Sequence, residues 1–308
     1  MSNTVLDNSR ISKHLGQISE YKSTYDAGLL VREPRQNNRE HLYIKESCGL
    51  PFVGFDTWNA YEVSGLTNKG RPVAGVAKIV YSCESVFIVE SKSIKLYFNS
   101  FNMQKCGDSD SDVYQYIADT AEQDLSDLLE TDVRVNVVPA HVANDTDPSD
   151  VFEGKQFTTL EDVCSSNLVF DTYQETPGLL NNQSSGTSTY DINVHSSLLK
   201  SNCRVTSQPD WGDVYISMTS VNAKTKPSNN DLLKYIVSFR DECHFHEEIC
   251  ETIFIRLLDK YKPDQLCVTC LYARRGGIDI NPSRATHEHL LPINLFDVST
   301  LHKKTAKQ

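Results

Sequence analysis

Cys203 and Asp210 stand seven residues apart in SNCRVTSQPDWGD, a thiol and a carboxylate on one short stretch. A thiolate is a nucleophile, and its population depends on nearby charge and on exposure. Proline fixes its own φ and biases the residue before it, so Gln208-Pro209 marks a turn. With Cys203 starting a strand and the turn at QPDWG, the carboxylate of Asp210 folds back toward the sulfur. The competing reading is a small thiol packed in a core, the usual fate of a free cysteine.

His246 and Glu247 form a second pair. On a helical reading, Leu232, Ile236, Phe239, Cys243, Cys250, Ile253 and Leu257 share one face, and His246 and Glu247 fall on or beside it. Burying such a pair costs roughly several kcal/mol unless it is partnered. Ionisable groups placed that way in a cleft are functional candidates; the alternative is a satisfied core histidine with a capping glutamate. A single helix across this region would exceed roughly 25 residues, so a break between Asp241 and Phe245 is expected.

Cys243, His244, His246 and Cys250 raise the question of zinc, whose ligands are thiolate and imidazole. His244 and His246 point to different helical faces, however, and no second CxxC or HxxxH completes a set. CVTC (Cys267 to Cys270) reads as strand, where an odd offset puts the sulfurs on opposite faces. No metal is expected. Arg274 to Gly277, RRGG, places two arginines beside two glycines at a strand end. That pattern suits close backbone approach and a bidentate grip on phosphate, or a solvated turn. Any dinucleotide must bind without GxGxxG, which is absent.

These groups need elements to position them. ESKSIKLYFNSFN, Glu90 to Asn102, reads as a strand, with Ile94, Leu96 and Phe98 toward the core and Lys95, Tyr97 and Asn99 opposite. With AGVAKIVY before it, it reads as a long hairpin. Ser109 to Glu130 reads as a helix, with Val113, Tyr116, Ile117, Ala121, Leu125, Leu128 and Leu129 at helical spacing and aspartates at its start. Asp132 to Val138 reads as a strand. After a polar, turn-rich stretch the pattern restarts: SNCRVTS and GDVYISMTS as paired strands, the long helical region, then QLCVTCLYARRGG as a strand. Two strands, helix and strand thus occur twice.

At 308 residues, with 39% hydrophobic and 23% charged content, the chain is of ordinary globular composition and long enough for about two units. A net charge of −11 argues against a broad phosphate-backbone surface, so no direct nucleic-acid contact is expected. No stretch approaches the roughly 18 apolar residues of a membrane span, and the N-terminus lacks a secretory pattern. A cytoplasmic protein with reduced thiols is the expectation, its nine cysteines being an odd number.

The segments ESKSIKLYFNSFN, LLKSNCRVTSQPDWGD, YIVSFR, FHE and ARRGGIDINPSR together resemble the NADPH-dependent 7-cyano-7-deazaguanine reductases, the nitrile reductases of queuosine biosynthesis, in their long two-module form. The matching segments run from about residue 74 to 284. The resemblance implies an α+β fold of tandem tunnelling-fold modules, antiparallel sheets backed by helices, assembled as a homodimer. Boundaries then fall at 1–45 (lead-in), 46–141 (first module), 142–188 (polar connector) and 189–308 (second module). It implies Cys203 as the nucleophile forming a thioimide with the nitrile, Asp210 as proton donor, and His246 and Glu247 as substrate contacts, with His246 close to the chemistry. Val89, Glu90 and Ser91 match the base-binding segment of the first module. Ser91, Lys92, Arg275 and Gly276 match positions that contact NADPH, two molecules of which serve as co-substrate for each turnover. The partner is then a small 7-deazaguanine, with no membrane and no metal. Two other functions compete: a zinc-dependent hydrolase of the same fold acting on a purine or pterin, and a non-catalytic purine-binding module.

Overall fold

The computed structural model describes residues 22, 24–44, 49–145, 148–181 and 183–308. The first half contains β1 (Arg32–Pro34), α1 (Gln36–Arg39), β2 (Val53–Thr67), β3 (Pro72–Ser82), β4 (Phe87–Val89), α2 (Ser91–Ser100), β5 (Lys105–Gly107), α3 (Asp110–Leu129), β6 (Val133–Pro139) and α4 (Ala140–Asp145). The remainder contains β7 (Thr158–Thr159), α5 (Leu160–Val163), β8 (Gln183–Cys203), β9 (Pro209–Lys226), α6 (Asn229–Val237), β10 (Cys243–His244), α7 (His246–Tyr261), β11 (Gln265–Tyr272), β12 (Ile278–Ala285) and α8 (Ile293–Phe296). The class is α+β, with a largely antiparallel sheet backed by helices. Among the described residues no helix is long and apolar enough to cross a membrane.

The sheet runs β10-β8-β9-β11-β12-β2-β3-β6, with β5 and β7 appended. The two halves are therefore one sheet, joined where β12 pairs antiparallel with β2 from Ile278↔Ala60 to Ala285↔Val53. Gly54 sits at that seam, where a Cβ would lie 2.1 Å from the Ser283 carbonyl oxygen, so only glycine fits. One core gathers Val113, Ile117, Ala121 and Leu125 of α3 with Trp58 and Ile79 of the sheet. The other packs Ile249, Ile253 and Leu257 of α7 on Ile216 and Val268. Leu160 and Leu180 also enter this second core, so the polar stretch before β8 is anchored by apolar side chains.

Buried charges cross the seam. Arg284 on β12 bonds Asp56 on β2 and Glu251 on α7, each at 2.8 Å. Arg35 reaches Asp56 at 2.8 Å and Arg39 reaches Glu251 at 2.7 Å. Because each carboxylate serves arginines from separate segments, the network fixes the lead-in, both halves of the sheet and α7 relative to one another.

Two expectations need correction. Residues Ser91–Ser100 are a helix, not a strand. Ile94, Tyr97, Phe98 and Phe101 are buried, a helical spacing that the apparent alternation of Ile94, Leu96 and Phe98 concealed. The supposed hairpin also fails: β3 pairs with β2 and β6, while the short β4 pairs with β1. The helix from Ser109 is as expected, with the Ser109 side chain capping the Asp112 amide at 3.2 Å. Tyr116, however, is exposed and Ala118 takes its place in the core. The expected break before α7 occurs, as a 3-10 turn at Ser238–Asp241 followed by β10.

Candidate active site

Cys203 ends β8 instead of starting a strand, and a tight loop returns the chain to β9. The Ser207 amide donates to the Cys203 carbonyl at 2.9 Å, and the Cys203 amide donates to the Gln208 carbonyl at 2.8 Å. Asp210 on β9 then lies opposite Ser201. The thiol and the carboxylate therefore share one hairpin end, but the turn expected at QPDWG lies earlier, at residues 204–206, and Pro209 already begins β9.

α7 begins at His246, so His246 and Glu247 occupy its first turn. His246 Nε2 lies 3.6 Å from the Asp210 carboxylate, and its ring packs on Tyr272 with centroids 3.9 Å apart. Glu247 is buried, and its Oε1 has no hydrogen-bond partner within the protein. Burial, reinforced by the charge of Asp56, pushes the Glu247 carboxyl up to about 7. A buried carboxyl oxygen left without a partner is one that awaits a donor from a ligand.

Glu90 sits across the cavity as the N-cap of α2. Its two carboxylate oxygens accept the Lys92 and Ser93 amides at 2.9 and 2.7 Å. A carboxylate offers about four acceptor positions, so both oxygens retain capacity. The Glu90 amide in turn donates to the Val31 carbonyl at 2.9 Å, which fixes the cap against the lead-in.

Arg275 projects from the β11–β12 turn. Its guanidinium forms an ion pair with Asp210 and donates to Gln208 Oε1 at 2.9 Å and Thr206 Oγ1 at 3.4 Å. Burial opposes ionisation of Asp210, but His246 and Arg275 overcome it and hold the carboxyl below its usual range. Gly276 and Gly277 have φ of +58° and +81°, which leaves bare backbone beside these cations.

One cavity of about 240 Å3 is lined by Val89, Glu90, Ser91, Lys92, Cys203, Asp210, His246, Glu247, Arg275 and Gly276. Every residue singled out for catalysis, base binding or cofactor contact thus faces one space. Trp58, Lys95, Thr206, Gln208 and Phe245 line it too and were not anticipated. Lys95 is held by Glu62 at 3.0 Å. The signal for Gln208 and Phe245 was present in their adjacency to Asp210 and His246; nothing local marked Trp58.

The residues weighed for zinc do not converge. His244 is clamped by Glu242 and Glu248 at 2.9 and 2.8 Å. Burial is outweighed by these carboxylates, and the imidazole is raised to about 9, so it is protonated at neutral pH. Cys243 is exposed, whereas Cys250 is buried against Val268 and Pro282 carbonyls. Among the described residues no three His, Cys, Asp or Glu side chains are grouped to hold a metal ion.

Comparison with known proteins adds a second line of observation. Residues 21–137 match the family described as nitrile reductase, 7-cyano-7-deazaguanine-reductase N-term, and residues 209–290 match the QueF-like protein family. The chain is 38% identical over 284 residues to the NADPH-dependent 7-cyano-7-deazaguanine reductase of Ralstonia nicotianae, spanning 91% of this chain and 95% of that protein. It is likewise 38% identical to the same-named proteins of Legionella pneumophila strain Paris and Coxiella burnetii strain CbuK_Q154, spanning 92% and 89% of this chain and 93% and 91% of those proteins. A crystal structure of the archaeosine synthase QueF-Like in the apo form aligns with a TM-score of 0.28 at 15% identity, covering 33% of this chain and 95% of that one.

Proposed function

Since the chain belongs to the NADPH-dependent 7-cyano-7-deazaguanine reductase family, we propose that it reduces the nitrile of 7-cyano-7-deazaguanine to the aminomethyl group through a covalent thioimide on Cys203. The product, 7-aminomethyl-7-deazaguanine, is a precursor in queuosine tRNA modification. The observation that carries this reading is the single cavity in which Cys203, Asp210, His246, Glu247 and Glu90 meet.

The base edge offers adjacent N–H donors, and the Glu247 carboxylate, whose Oε1 has no partner within the protein, is suited to accept them once ionised. Glu90 supplies a second acceptor from the other half of the sheet. With the ring held between them, the nitrile lies toward Cys203. The sulfur bonds to the nitrile carbon, and Asp210 passes a proton to the nitrogen as general acid. Asp210 begins as a carboxylate, so the proton it delivers is one it has taken up, and the thiol of Cys203 on the same hairpin end supplies it. His246, beside Asp210, is placed to replenish it in later steps.

Lys92, Arg275 and the bare backbone of Gly276, with Ser91, fit the phosphates and nicotinamide end of NADPH at the cavity mouth. When bound, NADPH supplies one hydride to the sulfur-linked C=N group, and a second molecule supplies another after sulfur leaves. The chain's residues bind, orient and protonate. We further propose tandem modules bounded near residues 46–141 and 189–308, a homodimeric assembly and a cytoplasmic location. No metal enters this chemistry.

The test is stoichiometric. Purified protein should consume two NADPH per aminomethyl product and none without the nitrile; NADPH loss that does not depend on the nitrile would defeat the reading.

A further inference from the structure

Arg275 carries more than a phosphate contact requires. A side chain needed only for a phosphate would be left to solvent, yet this guanidinium is already engaged. It pairs with Asp210 and grips the loop that follows Cys203 through Gln208 Oε1 at 2.9 Å and Thr206 Oγ1 at 3.4 Å. Its own backbone is fixed as well. The Arg275 amide donates to the Ile278 carbonyl at 2.8 Å and the Ile278 amide returns a bond at 3.1 Å, closing a two-residue turn. Gly276 and Gly277 supply the positive φ that such a turn requires at both central positions. The guanidinium is thus delivered to the hairpin end of β8 and β9 from a rigid point on the neighbouring hairpin.

We propose that Arg275 is a positioning residue for the first bond-forming step, holding the Asp210 carboxylate and the loop that follows Cys203 on one cation. The inference rests on the covalent reading above. In that step the sulfur gives its proton to Asp210 and bonds to the nitrile carbon. One C–N π pair collapses onto nitrogen, which takes the proton from Asp210. The product is a thioimide, atoms and electrons balance, and no oxidant or reductant takes part. Negative charge moves from carboxylate oxygen to sulfur and on to the nitrile. Arg275, paired with Asp210 in the cavity that Cys203 also lines, keeps a counter-ion beside that charge.

The groups facing Asp210 are Arg275 from the β11–β12 turn, His246 from α7, Tyr272 from β11 and Cys203 from the end of β8. Of these, His246 and Arg275 hold the carboxyl down against burial. Removing Arg275 therefore raises the pH below which Asp210 can no longer accept the thiol proton.

The experiment follows thioimide formation by intact mass over time, with the nitrile and without NADPH, across the acid-to-neutral range. Wild type is compared with Arg275→Gln and Arg275→Lys, each first checked for an unchanged melting temperature. Arg275→Gln should form the adduct about tenfold more slowly near neutrality, with the acid limb of its profile about one pH unit higher, the low end for loss of one adjacent charge. Arg275→Lys, which keeps a cation, should recover part of the rate. Equal rates and profiles in all three proteins, with only the KM for NADPH raised, would make Arg275 a cofactor anchor alone and overturn the inference. No adduct on the wild type would instead remove the covalent reading itself.

Discussion

Glu247 and Glu251 lie one turn apart on α7, both buried, and only Glu251 has guanidinium groups bonded to its carboxylate. Burial raises both. Arg284, Arg39 and Arg35 reverse its effect for Glu251 and bring it down to about 2, whereas Glu247 is left at about 7. One helix turn thus presents a permanent structural anion and a carboxyl poised near neutrality.

The first prediction concerns base binding. Only the ionised form of Glu247 can accept two N–H donors, so affinity for the deazaguanine should weaken as pH falls through about 7. Calorimetric titration at several pH values would measure it. Glu247→Gln should bind more weakly with a flat profile through that range, and a flat profile in the wild type would count against the role of Glu247.

Stability should respond to the two groups with opposite signs. Glu251 has a depressed pKa, so its contribution is present above its ordinary value of 4.5 and is lost as pH falls through about 2. Glu247 has a raised pKa, so its contribution is present below 4.5 and is lost as pH rises through about 7. Glu251→Ala leaves Arg39 buried without its carboxylate and Arg284 with Asp56 alone, and should cost about 3–5 kcal/mol in urea unfolding. Glu247→Gln should lose less stability than wild type between pH 4.5 and 7.

Glu90 has two duties that substitution can separate. Glu90→Ala removes the cap of α2 and should destabilise by about 0.5–2 kcal/mol. Glu90→Gln keeps an acceptor for the cap, so its melting temperature should stay closer to wild type. Base affinity should nevertheless fall about tenfold or more in both, since Gln presents an amino group or a single neutral acceptor to the ring donors.

A chelator supplies the fourth prediction. Turnover should survive dialysis against EDTA, because His244 is committed to Glu242 and Glu248 and is protonated. Activity lost to EDTA and restored by zinc would favour a hydrolase.

What the sequence made legible follows from range. The α3 helix was readable because Val113, Ile117, Ala121 and Leu125 repeat at its own period and Ser109 caps it locally. β2 and β12 were not, since Asp56, Thr57, Asn59, Asn281 and Arg284 are buried polar residues that hydropathy assigns to the surface. Their partners lie in other segments, as when Arg284 meets Asp56 across 228 residues. α2 was misread because a lysine-bearing helix of ten residues mimics alternation over a short window. Cys203, Asp210, His246, Glu247 and the RRGG stretch stood out by residue type and spacing, Val89, Glu90, Ser91 and Lys92 only through motif resemblance, and the convergence of all of them on one cavity could not be seen from spacing. The contact of Arg275 with Asp210, 65 residues apart, had no local signature at all.

The account depends on a bond between the Cys203 sulfur and the cyano carbon. Wild type and Cys203→Ala, each mixed with 7-cyano-7-deazaguanine in the absence of NADPH, should be weighed intact and then as peptides. The wild type should gain one substrate mass on the peptide holding Cys203, and Cys203→Ala should gain none. An adduct on any other cysteine, or no adduct alongside full NADPH-dependent turnover, would contradict it.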